Sequence, residues 1–136
     1  MQKAIVKDIF FLQQKSVPAT KADLFLVQDL QDTLLAHRES CVGLAANMIG
    51  VQKRVIIFMY GMLPMVMFNP ILIQKSGPYQ TEEGCLSLTG SRSTIRYQKI
   101  TIEYLDQNWL KKTITLEDFP AQICQHELDH LEGILI

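Results

Sequence analysis

Two histidines and a glutamate near the end of the 136-residue sequence form the pattern His-Glu-x-x-His. They are His126, Glu127 and His130. Residues four apart on a helix lie on the same face, so both imidazoles can bind one metal ion. Glu127 lies one position round the helix and can exchange a proton with a water on that ion. The pattern therefore predicts metal-assisted hydrolysis.

A third ligand is expected upstream of this motif, because only Leu131 to Ile136 follow it in the sequence. Cys124 lies two positions before His126 and points in roughly the opposite direction on the helix, which predicts a cysteine of the core. His37 adjoins Arg38 and Glu39 and is typical of a solvated helix end.

Cys41 and Cys85 remain as candidates for the third ligand, and we favour Cys85. Gly84 frees the backbone to present the Cys85 thiol, and Leu86 offers an amide beside it. One thiolate and two imidazoles leave a four-coordinate ion with one open position. Such ligands accept Fe(II), Zn(II), Co(II) or Ni(II), so the residues alone do not identify the metal.

Composition favours one globular domain over residues 1–136, since 48% of the residues are hydrophobic. The net charge of -1 argues against binding to nucleic acid through a basic field. Charges interrupt every apolar stretch of the N-terminal segment, so neither a signal peptide nor a membrane span is expected there. Three cysteines argue against a disulfide framework and favour a cytoplasmic protein with free thiols.

The elements that must position the motif follow from local patterns. A capping box at Thr20 to Asp23 predicts a helix ending near Glu39. Asp118 as cap, Pro120 in the first turn and Gly133 past the end predict a helix that carries the histidines. Clusters of β-branched and apolar residues predict strands at Arg54 to Tyr60, Met65 to Gln74, Ile95 to Leu105 and Trp109 to Leu116.

Residues 43–50 read Gly-Leu-Ala-Ala-Asn-Met-Ile-Gly, a run of small residues between two glycines. The run is too short for a helix of its own and too small-sided for an ordinary strand. Small side chains allow close approach of the backbone.

Three segments, GLAANMIG, EGCLS and QHELDHLEG, occur in the same order and at similar spacing as the signature motifs of peptide deformylases. The chain resembles this family over nearly its whole length. The resemblance implies removal of the formyl group from N-formylmethionine of new polypeptides, with Fe(II) as the usual metal and Zn, Ni or Co as substitutes. It also implies an α+β fold in which antiparallel sheets surround the HExxH helix.

The resemblance also assigns roles to individual residues. Cys85, His126 and His130 match the metal ligands, and Glu127 matches the catalytic glutamate. The backbone amide of Leu86 matches a donor to the developing oxyanion. The remaining matches concern substrate contacts: Gly43 and Leu44 line the cleft, Ile123 and Cys124 form walls of the methionine pocket, and Arg92 lies near the cleft mouth.

The first motif departs from the family at a position that touches chemistry. Met48 stands where the family has a glutamine, Asn47 where proline is common, and Cys41 where the first glycine is expected. The glutamine amide normally donates to the carbonyl oxygen as it becomes negative, and a thioether cannot donate. Losing one such donor slows catalysis by about a hundredfold to a thousandfold, or about 3 to 4 kcal/mol.

The departure leaves alternatives to an efficient deformylase. One is a protein that binds metal and N-terminal peptides without useful turnover, and another is an amide hydrolase for a different small acyl group. A purely structural zinc site is the weakest, because it usually has four protein ligands and only three are apparent. Because the sequence ends at Ile136, ribosome docking by a C-terminal helix is not expected.

Overall fold

The structure, a computed structural model, describes residues 1–135, with the backbone alone described at residue 88. Two 3₁₀ turns, at Lys21–Phe25 and Ala46–Ile49, accompany the longer elements. Helices α1, α2 and α3 span Ile9–Leu12, Leu26–Ala36 and Asp118–Leu131. Strands β1 to β5 span Gly43–Ala45, Val55–Tyr60, Leu63–Cys85, Leu88–Leu105 and Lys111–Glu117. None of the helices within residues 1–135 is both long and apolar enough to cross a membrane.

The five strands form one sheet in chain order, and each strand is antiparallel to the next. Helix α3 packs against β1, β2, β4 and β5. Strand β2 is buried on both faces, since Val55, Ile56, Ile57 and Phe58 have no exposed surface. The predicted α+β class with antiparallel strands around the HExxH helix is confirmed.

The β3–β4 hairpin is much longer than the predicted strands. The prediction ended the first of them at Gln74, before Gly77 and Pro78, but the ladder continues and Pro78 pairs with Tyr97. Pairing with the partner strand extends β3 through residues that signal a turn locally. The hairpin closes where Cys85 pairs with residue 88, so Cys85 lies at the end of the ladder.

Helix α2 is preceded by the capping box that the sequence predicts. The Thr20 amide donates to Asp23 Oδ2 at 2.8 Å, and the Ala22 amide donates to Thr20 Oγ1 at 3.3 Å. The first turn is a 3₁₀ turn that leads into α2, and α2 ends at Ala36, not near Glu39 as predicted. The ends of helices are the least certain part of such predictions.

The small-residue segment is a short strand followed by a 3₁₀ turn. Gly43–Ala45 pairs with β2, so these three residues do form a strand despite their small side chains. Ala46–Ile49 then makes the turn, and Gly50 takes a φ of 89°, a conformation that favours glycine. All seven residues from Gly43 to Ile49 are buried.

The ends of β5 and α3 also differ from prediction. The strand begins at Lys111 and not at Trp109, because Trp109 belongs to a turn and has a φ of 62°. The cap of α3 is Glu117 and not Asp118, and no side chain bonds to the helix end there. Gly133 ends the helix as predicted, with a φ of 76°.

Candidate metal centre and cleft

Three ligand atoms from two elements meet at one point. His126 and His130 lie one turn apart on α3, with their Nε2 atoms 3.1 Å apart. Cys85, at the end of β3, brings its Sγ atom to 3.3 Å from Nε2 of His130. In tetrahedral zinc sites, metal bonds of about 2.1 and 2.3 Å separate ligand atoms by roughly 3.3 to 3.6 Å. The two observed separations are close to this range, so the three residues could hold one metal ion.

Protonation of the two histidines follows from burial and their partners. Burial, together with the nearby His126, lowers the pKa of His130 to about 3, so its imidazole is neutral and can bind metal. Burial also favours a lower pKa for His126. Hydrogen bonds to Cys85 and Glu83 outweigh this effect and raise the pKa of His126 to about 10. A cation that binds Nε2 of His126 must therefore displace a proton.

A buried ionic network orients His126. Its Nδ1 donates to Glu83 Oε1 at 2.8 Å, and Arg96 donates to both oxygens of Glu83 at 2.7 to 3.2 Å. Arg96 also donates to Asp129 Oδ2 at 2.7 Å, which ties the network to α3. Burial opposes ionisation of Glu83, but hydrogen bonds from His126, Arg96 and Gln122 lower its pKa to about 2. A carboxylate held in this way fixes the tautomer of a ligand histidine.

The sequence patterns did not single out Glu83, and the resemblance assigned the cleft mouth to Arg92 and not to Arg96. Glu83 precedes Cys85 by two residues, and the alternation of side chains along a strand was a signal that could have found it. Arg92, predicted near the cleft mouth, is not among the described residues that line the cleft, and it donates to the Thr89 carbonyl at 3.3 Å. The arginine joined to the centre is Arg96, which is 3% exposed.

A cleft of about 530 Å³ opens beside Cys85 and His126, which both line it. Five residues of α3 line it at the spacing of one helix face, namely Phe119, Gln122, Ile123, His126 and Glu127. The opposite side includes Cys41, Gly43, Met48, Glu82, Cys85 and Leu86. Gly43 and Ile123, which the resemblance assigned to substrate contacts, line this cleft together with Leu86.

Leu44 and Cys124 do not line this cleft, contrary to expectation. Both have no exposed surface and belong to the hydrophobic core. Cys124 follows Ile123 by one residue, and a step of one residue turns a side chain about 100° around a helix. Gln122, which precedes His126 by one turn, lines the cleft beside Ile123. The helical period was a signal that could have found it.

Glu127 is buried at the edge of the cleft. Its Oε1 atom has no hydrogen-bond partner in the described structure, while Oε2 lies against Gly43. A Cβ atom on Gly43 would come within 2.9 Å of both Glu127 Oε2 and Ile123 Cγ2. Burial raises the pKa of Glu127 to about 7, which suits a group that must both accept and donate protons near neutrality.

The side chains of Met48 and Asn47 make different contacts. Met48 is 1% exposed and lines the cleft, with its sulfur 3.5 Å from the Ala45 amide. Asn47 is fully buried, and its Nδ2 donates to the backbone carbonyl of His130 at 2.9 Å. The amide group of Asn47 is therefore engaged with α3.

Cys41 contributes a thiol to the cleft without joining the ligand group. Its Sγ atom donates to the Gly43 carbonyl at 2.9 Å. Burial raises the pKa of Cys41 to about 12, so the group remains a thiol. Within the described residues, the cluster that could hold a metal ion consists of Cys85, His126 and His130.

Three protein ligands leave a tetrahedral ion with one position for water or substrate, which is the arrangement of catalytic and not of structural metal sites. Fold and site together thus define a class, the metal-dependent hydrolases. The sequence is 57% identical to the peptide deformylase of Clostridium beijerinckii over all 136 residues, covering both chains completely. It is 38% identical to that of Desulfitobacterium hafniense over 128 residues, covering 91% of this chain and 84% of the relative.

Solved structures of peptide deformylases also resemble this chain. A class I type b peptide deformylase from Acinetobacter baumannii, bound to Met-Ala-Ser, superposes with a TM-score of 0.89. The two chains are 29% identical, and the match covers 99% of this chain and 97% of that one. Residues 5–136 match the polypeptide deformylase family, and the chain belongs to it. Its reaction is the metal-dependent removal of the formyl group from N-formylmethionyl peptides.

Proposed function

We propose that Cys85, His126 and His130 hold one divalent cation, with Fe(II) as the native metal, and that the chain deformylates slowly. When bound, the cation acts as a Lewis acid towards the formyl carbonyl and makes a water molecule more acidic. The convergence of the three ligand atoms within 4.8 Å of one another supports this assignment. A cytoplasmic location, where new polypeptides emerge, is part of the proposal.

Glu127 is the proton carrier in this proposal. Its unpartnered Oε1 takes a proton from the attacking water and returns it to the departing amine. The absence of a side chain at Gly43 leaves room for the carboxylate, since a Cβ atom there would lie 2.9 Å from Glu127 Oε2. Removing this group should therefore abolish turnover without removing a metal ligand.

Stabilisation of the oxyanion is the step that this chain performs poorly. The backbone amide of Leu86 is one donor to the developing charge. Met48 supplies no donor at the second position, and the hydrogen bond from Asn47 to the His130 carbonyl engages the neighbouring amide. That bond is the observation that carries the proposal of slow turnover, since one missing donor costs about a hundredfold to a thousandfold.

The substrate pocket is assigned to the cleft face of α3. Gly43 allows the peptide backbone to approach, while Ile123 and Phe119 offer apolar surface to the first side chain. The Acinetobacter baumannii relative was solved with Met-Ala-Ser bound. A formylated form of that tripeptide is a suitable substrate for testing this chain.

The test is deformylation of formyl-Met-Ala-Ser by protein loaded anaerobically with Fe(II), or with Ni(II) for stability, alongside Glu127→Ala. We expect measurable turnover in the wild type and none in the variant, with one metal ion bound per chain in both. Absence of wild-type turnover despite a bound metal would replace the enzyme with the second candidate, a protein that binds metal and peptide. Met48 is the feature that favours that candidate.

A further inference from the structure

Leu86 lines both the catalytic cleft and a second cavity of about 510 Å³. The other residues around the second cavity are residues 2–5 and Lys7 of the N-terminal segment, and His37 at the end of α2. Cys85, one of the three candidate metal ligands, directly precedes Leu86 in the chain. The second cavity therefore begins beside the catalytic centre.

Ser40 provides a second connection from the cleft to the same histidine. It lines the cleft and also a hollow formed by residues 35–40, and this hollow again includes His37. Leu86 and Ser40 thus connect the cleft with two cavities that share His37. A peptide that leaves the cleft between Ser40 and Leu86 passes this histidine.

The cavity beyond Leu86 carries positive charge. Lys3 is half-buried and Lys7 is exposed, and none of the ion pairs among the described residues includes either lysine. None of the described residues that line this cavity is acidic. Asp8, next to Lys7 in the chain, instead accepts a hydrogen bond from the Phe10 amide at 3.0 Å. The cavity therefore differs in charge from the chain as a whole, whose net charge is -1.

We propose that Lys3 and Lys7 are specificity-determining residues that favour formylated peptides with acidic third and fourth residues. An extended peptide advances about 3.3 Å per residue, so these residues lie roughly 7 to 10 Å beyond formylmethionine. Leaving the cleft between Ser40 and Leu86, they reach the cavity, where low-dielectric walls strengthen the attraction of ammonium groups for carboxylates. This proposal rests on the proposed function, since it extends the substrate beyond its first residue.

The test compares formyl-Met-Ala-Asp-Asp-amide with formyl-Met-Ala-Asn-Asn-amide as substrates of the metal-loaded protein. The two peptides have nearly the same shape and differ in the charge of their third and fourth side chains. We expect a higher kcat/KM for the acidic peptide. The ratio of the two values should fall about tenfold in the double variant Lys3→Glu with Lys7→Glu, because attraction is replaced by repulsion. An unchanged ratio would overturn the proposal.

Salt provides a further measurement on the wild type. The preference for the acidic peptide should shrink when the ionic strength rises from about 0.1 M to about 1 M, since the screening length falls from about 10 Å to about 3 Å. A preference that is independent of salt would contradict an attraction between exposed charges.

Lys15→Glu with Lys21→Glu is the matched control. Both lysines are exposed, neither is among the residues that line the cleft or the two cavities, and this pair changes the net charge by the same amount. The control should keep the wild-type ratio, and an equal fall in both double variants would overturn the assignment to this cavity. Lys3→Gln with Lys7→Gln replaces the charge reversal if that variant does not fold, with a fall of about threefold expected.

Binding separates this proposal from the proposed function. The deformylated forms of both peptides are titrated into the metal-loaded proteins by calorimetry, without turnover. If the wild type hydrolyses neither formyl peptide, the proposed function fails, while the ratio of the two dissociation constants in wild type and double variant still decides the role of Lys3 and Lys7. Hydrolysis of both peptides with equal kcat/KM would leave the proposed function in place and overturn this proposal alone.

Discussion

At the scale of single residues, the proposed site combines three convergent candidate metal ligands with one cleft position, Met48, whose side chain offers no hydrogen-bond donor. The ligand atoms of Cys85, His126 and His130 converge, and Glu127 adjoins them in a buried position. In the proposed function Met48 occupies the second oxyanion position, and its thioether cannot donate a hydrogen bond. The chemistry of metal binding and the chemistry of charge stabilisation can therefore be tested separately.

Substituting Met48→Gln should raise the kcat for formyl-Met-Ala-Ser at least tenfold, because an amide donor would again face the developing oxyanion. Steady-state kinetics at constant metal content measure the change, and Met48→Leu serves as the apolar control. An equal kcat in wild type and Met48→Gln would show that another donor already supplies this interaction.

Substituting Gly43→Ala should lower kcat/KM by about a hundredfold, because displacement of a catalytic group by about 1 Å has that effect. The new methyl group would lie 2.9 Å from both Glu127 Oε2 and Ile123 Cγ2, so Glu127 must move. The metal ligands are untouched, and metal analysis should still find one ion per chain. Wild-type activity in this variant would argue against the packing of Glu127 on Gly43.

At the scale of elements, α3 and the β3–β4 hairpin are joined by charge as well as by metal ligands. Arg96 of β4 bonds Glu83 of β3 and Asp129 of α3, and all three groups are wholly or largely buried. Removing one partner of a buried ion pair leaves the others without compensation in a poorly solvated site.

Substituting Arg96→Leu should lower the free energy of unfolding by about 3 to 5 kcal/mol. Metal affinity should fall by about tenfold to a hundredfold, because Glu83 would no longer be held against His126. Denaturant unfolding and metal titration measure the two effects. Lys99→Leu is the control, since Lys99 and Glu117 are both exposed and such a pair contributes about 0 to 1 kcal/mol. Similar losses in the two variants would contradict a special role for Arg96.

Gly133 ends α3 in a position that no other residue can occupy. Its φ is 76°, and an added Cβ would overlap the Gln13 carbonyl oxygen. Gly133→Ala should therefore destabilise the fold by more than the roughly 1 to 2 kcal/mol that a left-handed conformation alone costs. Gly61→Ala, with a φ of 66° and no atom within 4 Å, isolates that conformational cost in the same denaturation experiment. Equal losses would contradict the contact with Gln13.

At the scale of the whole molecule, the metal should stabilise the tertiary arrangement. Its ligands come from the end of a long hairpin and from the helix that packs on the sheet, so one ion links both. A ligand that binds the folded chain alone stabilises it by about 2.7 kcal/mol at a free concentration 100 times its Kd.

Removal of metal with a chelator should lower the Tm of the wild type, and adding Zn(II) or Ni(II) back should restore it. Cys85→Ser lacks the thiolate, so its Tm should respond much less to the same additions. Differential scanning calorimetry gives both values. An equal response in the two proteins would mean that the stabilising ion binds elsewhere.

The sequence by itself determined the local features of the site. The spacing of His126 and His130 reports a shared helix face, because helical periodicity depends only on neighbouring residues. The same helical period also indicates that Gln122 shares a face with His126, although the prediction placed Cys124 at the cleft. Gly133 likewise marks the end of α3 through its own backbone preference.

The tertiary structure alone decided the contacts made over long separations in the chain. Arg92 and Arg96 lie four residues apart on one strand and share the same alternation, so the sequence does not distinguish them. The fold distinguishes them, because Arg96 is the one that is buried against Glu83 and Asp129. Asn47 and His130 are 83 positions apart in the sequence, so the hydrogen bond that engages the Asn47 amide could not be predicted from it, since such pairing depends on how the elements pack.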